Sequence, residues 1–462
     1  MEFPASALKD WFQAHEEKIQ SEFFHFLTFQ SISTDEVHKQ DCLNTAHWLL
    51  AYLEGIGLKG QLLGTSGLPV VFTENHKNPS FPTLLLYQHY DVQPVDPRDE
   101  WRTDPFTPTL KEGKIFARGA SDNKGQCFLT ITALKAIHEL KIDLPLNIKL
   151  FIEGEEESGG AGTQEVLKKH KDKLKADSLC VIDFDIPSKD TPAISMGYRG
   201  LLAVNIECKN GRVDLHSGVH GGIALNANRI LVEMLAKLWD KQGKVTIPHF
   251  YDAIEELTSQ ERSELDFSFN EAKYRKDFGV GALCKEEGVT PKEANGLCPT
   301  AEINGIWGGY TGAGFKTVIP AKSNAKVSFR LVPGQDPEKI MKHFEQFCLQ
   351  NTPKGAELKI VWHHGAKAYR ASGSSPLIQA VKKSLEEVFE KKPCLSTLCG
   401  GAVPIVRDLM EVSGADAALF GFALDTDDVH APNEHFNLEC FKKGFMTVAR
   451  VLWEMSRKKK EC

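Results

Sequence analysis

The apolar positions of this chain fall into short, dense runs separated by polar and glycine-containing stretches. "PTLLLYQH" (82–89), "LPLNIKLFIE" (144–153) and "DSLCVIDFD" (177–185) each gather apolar side chains into a strand-length segment, the pattern of buried strands in an α/β sheet. In the second, Leu144, Leu146, Ile148, Leu150 and Ile152 recur at period two. Between the first two, "ARGASDNKGQCFLTITALKAIHEL" (117–140) reads as a glycine-containing turn entering a helix, with Asp122 near its start.

From about residue 203 to 375 the pattern changes. "LLAVNIEC", "AKVSFRLV" and "ELKIVWHH" read as strands, and "NRILVEMLAKLW" and "DPEKIMKHFEQF" as helices. Asp336 followed by Pro337 is a strong helix start, a cap and then the residue preset for the first helical position. After this α+β stretch, "SSPLIQAVKKSLEEVFE" (helix), "ADAALFGFAL" (strand) and "FNLECFKKGFMTVARVLWEMS" (helix) return to the earlier α/β rhythm. The simplest organisation is a discontinuous domain, 1–202 and 376–462, interrupted by an inserted domain, 203–375.

Composition narrows the function classes. With 462 residues, 42% hydrophobic and 25% charged, the chain can bury a large core. A formal charge of −7 supplies no basic field of the kind that draws proteins to nucleic acid or anionic lipid, so neither is expected as a partner. The start, "MEFPASALKDWFQAHEEKI", is polar and amphipathic, and no apolar stretch has membrane-spanning length, so a cytoplasmic location is expected. The 11 cysteines lack C-x-x-C pairing and read as reduced core residues, and the basic tail "SRKKKEC" as a solvated helix end.

The strand ends carry the candidate chemistry. Ligands of open α/β sheets bind beyond the carboxyl ends of the strands, so residues there converge although distant in sequence. His89 with Asp91, Asp122, the triplet Glu155, Glu156 and Glu157, Asp183, and His430 after the last strand occupy such positions. Carboxylates and imidazoles suit zinc or manganese, and two such ions can share a bridging carboxylate and a water. Three carboxylate ligands and one hydroxide balance two dications, with both imidazoles neutral. Two acids remain, one to orient an imidazole and one to take a proton from the water; Asp91 and a member of the Glu triplet suit these tasks.

Seven segments, "YQHYDVQP", "RGASDNKG", "EGEEESGG", "DLHSGVHGG", "NGIWGGYTGAGFKTVIPAK", "FRLVPGQDPE" and "DDVHAPNEHF", occur in this order. Together they make the chain resemble the dinuclear-zinc metallopeptidases and amidohydrolases, the family of cytosolic nonspecific dipeptidase, carnosinase, carboxypeptidase G and succinyl-diaminopimelate desuccinylase, over nearly its whole length. The resemblance implies an α/β zinc-peptidase catalytic domain, a mixed sheet between helices, with an inserted ferredoxin-like lid and dimerisation domain and a homodimeric state. It implies His89 and Asp183 on one ion, Glu157 and His430 on the other, and Asp122 bridging, with zinc foremost and manganese or cobalt admissible. Asp91 would orient His89, and Glu156 would be the general base, leaving Glu153 and Glu155 as loop or solvent acids and Asp185 as a fallback ligand. Asn123, where relatives often have a second Asp, is not expected to be a ligand. His216 would polarise the scissile carbonyl, reaching the partner subunit's site, and Arg330 would anchor a substrate carboxylate, whereas His220, His363 and His364 gain no role.

One segment departs from the resemblance. Where dipeptidase-like relatives carry an R-E-G-G-S-I-P type sequence, this chain has "LCGGAVP", Leu398 to Pro404. Gly400 and Gly401 remain as candidate substrate-binding positions, but the acid suited to a free α-ammonium and the serine hydroxyl are replaced by Cys399 and Ala402. The expected activity is metal-dependent hydrolysis of dipeptides or short peptides with a free C-terminal carboxylate. An N-acyl amino acid amidohydrolase is the alternative, and a non-catalytic ligand-binding protein on the same scaffold the distant one.

Overall fold

The computed structural model describes residues 2–283, 288–401 and 403–458, with the backbone alone at His364 and Pro404. Ala402, the side chain of His364 and the last four residues of the basic tail lie outside this description. The chain forms two compact units, the first comprising Met1–Met196, Ala371–Thr397 and Ile405–Cys462, the second Gly197–Arg370 and Leu398–Pro404. The division drawn at 203 and 376 thus moves a few residues towards the N-terminus at each crossing, and Leu398–Pro404 groups with the second unit. Close backbone approach marks the crossing: a Cβ on Gly197 would lie 2.4 Å from the Tyr369 carbonyl oxygen, and one on Gly200 2.5 Å from that of Ala366.

In the first unit a mixed sheet runs in the order Lys59–Leu63, Val70–Asn75, Asn147–Glu153, Thr83–His89, Ser178–Ile186, Asp416–Leu424, Ala193–Tyr198. Asn147–Glu153, Thr83–His89, Ser178–Ile186 and Asp416–Leu424 are mutually parallel, so their carboxyl ends share one edge. They are covered on both faces, which is why every residue of Asn147–Glu153 is buried. The period-two reading of this strand is therefore incomplete. Lys149 is buried among the apolar positions because its ammonium donates to the carbonyls of Lys173 and Lys175, 2.7 Å each.

Helix Lys124–Glu139 is buried along nearly its whole circumference, and Leu438–Ser456 and Ala5–Thr28 pack with it. The Phe23 and Phe128 rings stack 5.4 Å apart. Among the described residues no helix is long and apolar enough to cross a membrane.

The second unit holds a four-stranded antiparallel sheet in the order Thr300–Gly308, Lys322–Leu331, Gly200–Lys209, Glu357–Ala366. Helices Ala227–Leu235 and Pro337–Gln350 fill the two crossovers, giving the ferredoxin-like βαββαβ order. One sheet face is buried: Leu202, Val204, Ile206 and Cys208 pack with Ala325, Val327, Phe329 and Leu331 in a core shared with both helices. Asp336 caps the second helix, accepting from the Glu338 and Lys339 amides at 3.0 and 3.4 Å. Edge strand Thr300–Gly308 was not read from the sequence, since most of its residues are exposed and carry no apolar alternation.

Candidate metal centre

His89 ends strand Thr83–His89, buried, with Nε2 3.1 Å from Asp122 Oδ1 and 3.7 Å from Asp183 Oδ1. His430 reaches the same aspartate from the loop after Asp416–Leu424, its Nε2 2.9 Å from Asp122 Oδ2 and 3.3 Å from Glu157 Oε1. Asp122 thus turns one oxygen to each histidine. Ligand atoms of His89, Asp122 and Asp183 lie within 4.8 Å of one another, as do those of Asp122, Glu157 and His430. These are two three-residue donor sets sharing a single carboxylate.

Asp183 comes to the cluster through a bulge. Ile182 pairs with Phe420 and Phe184 with Gly421, so Asp183 is the extra residue between two registers, and such an insertion re-aims a side chain. Gly421 makes room for it: a Cβ there would lie 1.9 Å from the Phe184 carbonyl oxygen. The facing irregularity, at Phe422, is satisfied by its amide donating to Gln126 Oε1 at 2.8 Å. Asp185, the fallback ligand, is exposed and belongs to neither donor set.

Asp91 is fully buried and touches His89 twice. Its Oδ1 is 3.3 Å and its carbonyl oxygen 3.2 Å from His89 Nδ1. The same carboxylate accepts from the amides of Glu156 and Glu157, at 3.3 and 3.0 Å, and from the Ser33 hydroxyl at 2.6 Å. Asp91 therefore orients the imidazole and also holds the turn that presents both glutamates.

Two further contacts on the proposed ligands were not read from the sequence, although Gln93 and Asn123 stand inside the segments that carry the resemblance. Gln93 Nε2 donates to Glu157 Oε2 at 2.7 Å, and Asn123 Nδ2 to Asp183 Oδ1 at 2.5 Å, so Asn123 steadies a neighbouring carboxylate. Glu153 is a correction. It is buried rather than a solvent acid, accepting from Thr163 Oγ1 at 2.6 Å and from the Tyr87 hydroxyl. Glu155 is a loop acid, accepting from the Leu68 and Gly162 amides at 3.0 and 2.7 Å.

The electrostatics are those of crowded carboxylates. Burial, together with the charges of Glu157, Asp183 and Asp122, holds the Glu156 carboxyl well above its ordinary range, although His89 acts in the opposite sense. Glu157 is pushed up to about 7, by burial first and then by Asp122. Burial alone would raise Asp122, but hydrogen bonds with His430 and His89 hold it below the usual carboxylate range. His430 is raised to about 11, chiefly by its bonds to Asp122 and Glu157. The donor set fits a pair of divalent cations: three carboxylates and two imidazoles converge, and Asp122 supplies an oxygen to each set.

The other predicted residues belong to the second unit. His216 is exposed, and its Nδ1 accepts from the Gly218 amide at 3.0 Å, so the neutral ring carries its proton on Nε2. Arg330 lies half-buried on the sheet face opposite the core, with no carboxylate within ion-pair distance among the described residues. At Gly400 a Cβ would lie 2.5 Å from Asn295 Nδ2, so that side chain would have to shift, whereas at Gly401 the nearest atom is Cys399 Sγ at 3.6 Å. His220 is partly buried and His363 exposed.

Comparison with known proteins places this geometry. Residues 85–454 match the profile of peptidase family M20/M25/M40. The Cys-Gly metallodipeptidase dug1 of Schizosaccharomyces pombe is 30% identical over 395 residues, 84% of this chain and 83% of that protein. The Beta-Ala-His dipeptidase of Homo sapiens is 31% identical over 397 residues, 84% of this chain and 78% of the relative. Among solved structures, the M20 family metallo-carboxypeptidase Sso-CP2 of Sulfolobus solfataricus is 33% identical with a TM-score of 0.87, covering 95% of this chain and 99% of its own. With a family match spanning most of its length and a site assembled from the strand ends that the match includes, the chain belongs to peptidase family M20/M25/M40.

Proposed function

We propose that the chain is a two-metal dipeptidase, hydrolysing the amide bond of dipeptides or short peptides that end in a free carboxylate. The observation that carries this reading is the sharing of Asp122 between two donor sets, with Glu156 beside them on the turn held by Asp91. His89 and Asp183 would hold one ion, Glu157 and His430 the other, and Asp122 both; zinc is the first candidate, manganese and cobalt the others. Bound there, the ions would acidify a water and polarise the scissile carbonyl.

Glu156 takes the proton from the attacking water and returns it to the leaving amine. A carboxyl raised above its ordinary range by burial and by neighbouring carboxylates holds a proton more readily than a free one, which suits it to both transfers. Asp91 keeps His89 in the tautomer whose Nε2 faces the carboxylates. The Nε2–H of His216 is a donor for the oxyanion, and the Arg330 guanidinium, with no carboxylate partner among the described residues, for the terminal carboxylate. The family resemblance supports a cytoplasmic homodimer in which His216 serves the partner's site.

The dipeptidase names of the relatives favour free dipeptides. Cys399, standing where the segment could have carried an acid for a free ammonium, favours N-acyl amino acids as the second reading. Glu156→Gln tests the mechanism: it should retain bound metal and lose turnover by about 10²–10⁴-fold, the usual range for a general acid–base group. Turnover within a few-fold of wild type would exclude Glu156 as the proton carrier.

A further inference from the structure

Behind the two donor sets lies a buried ion pair that touches no proposed ligand side chain. Arg118 and Glu434 are each about 1% exposed and bond through Nη1 and Oε2 at 2.7 Å. Glu434 has three further bonds. Its Oε2 accepts from the Gly119 amide at 2.9 Å, and its Oε1 from the amides of Ser121 and Asp122 at 2.9 and 3.0 Å. Arg118 in turn donates through Nη2 to the Pro94 carbonyl at 2.9 Å, at the end of the segment that carries His89 and Asp91.

The backbone runs the same way, with the Ala117 amide donating to the Glu434 carbonyl at 3.1 Å. Ser121 Oγ also donates to Asp427 Oδ2 at 3.0 Å, on the loop that bears His430. Three segments that deliver candidate ligands therefore meet at one carboxylate and one guanidinium: 89–94, the turn 118–122, and the loop 427–434. Isolated in a dry interior, such a pair gains little stability over apolar residues of similar size. Its geometry, four donors on one carboxylate, makes it effective at fixing backbone.

We infer that Glu434 is a positioning residue for the metal centre: with Arg118 it fixes the backbone of Asp122 relative to His89 and His430, so that one carboxylate can serve both ions. This rests on the reading that these residues hold metal. Residues that orient ligands from behind typically influence metal affinity by about 10–100-fold. The effect should fall on both ions, because both share Asp122.

The test is a zinc titration of chelator-stripped protein against a competing chromophoric chelator, for wild type, Glu434→Gln and a control, Leu385→Ala. Leu385 is fully buried in helix Pro376–Val388, and its truncation destabilises the fold away from the site. Glu434→Gln should bind zinc at least about tenfold more weakly, with Leu385→Ala unchanged. Affinity equal to wild type in folded Glu434→Gln, or an equal loss in both variants, would overturn the positioning role. If Glu434→Gln does not fold, the double replacement Arg118→Met, Glu434→Gln leaves no buried charge unpaired and is judged by the same criterion. Wild type that takes up no zinc, manganese or cobalt would instead overturn the metal reading itself.

Discussion

Gly421→Ala should both destabilise the first unit and weaken metal binding, although Gly421 is not itself a proposed ligand. The new Cβ would lie 1.9 Å from the Phe184 carbonyl oxygen, 2.4 Å from its amide nitrogen and 2.5 Å from Gln126 Oε1. Two of these atoms are backbone of the neighbouring strand, so the bulge must open. Forcing an extra methyl into a packed site costs about 1–3 kcal/mol, and losing the Phe422–Gln126 bond adds about 1 kcal/mol. With a urea m-value of ~3 kcal/mol/M, a cost of about 2–4 kcal/mol lowers the midpoint of chelated protein by about 1 M. Because Asp183 is the bulged residue, zinc affinity at the His89 and Asp183 side should fall with it. An unchanged urea midpoint with wild-type zinc affinity would refute the claim that the bulge aims Asp183.

Two further outcomes follow from the ionisable groups. Burial raises the Glu153 carboxyl from 4.5 to about 7, so the folded state binds the extra proton between those values, and stability falls as pH rises from about 4.5 to 7. At ~1.4 kcal/mol per pH unit the loss is on the order of 3 kcal/mol. Urea unfolding of chelated protein at pH 5 and 7.5 should show it in wild type, with a flatter profile in Glu153→Gln; identical profiles would contradict the assignment. His89 and His430 are both raised by their carboxylate neighbours, and a metal takes only neutral imidazole, so binding must expel protons and tighten as pH rises. Calorimetric titration with zinc in buffers of different ionisation enthalpy should report net proton release at pH 7, and none would contradict histidines held protonated by their carboxylate neighbours in the metal-free protein.

The strand-end residues were legible because a parallel sheet brings the carboxyl ends of strands together wherever they lie in sequence. That rule and side-chain chemistry single out His89, Asp122, the triplet Glu155 to Glu157, Asp183 and His430, whereas the choice of Glu157 within the triplet, of Asp183 over Asp185 and of Asp122 as the shared carboxylate came from the family resemblance. What supports them was not legible. Arg118 and Glu434 stand 316 positions apart, and nothing in either segment announces the other. Glu153 looked like one acid of a solvated run, yet its hydroxyl partners come from Tyr87, on the adjacent strand, and Thr163, on the following helix. Lys149 was invisible to an apolar count because its stem is buried while its ammonium finds carbonyls. Edge strand Thr300–Gly308, mostly exposed, lacked the alternation that marks a half-buried strand.

The central claim is tested most directly by hydrolysis with protein reloaded with zinc or manganese, against free dipeptides and matched N-acyl amino acids, each with a chelated control. The account predicts cleavage of free dipeptides that chelation abolishes and metal restores. Cleavage confined to N-acyl compounds would keep the metal centre but assign Cys399 and its segment to aminoacylase-type substrates. Metal-loaded, folded protein that binds these compounds and cleaves none would contradict the account.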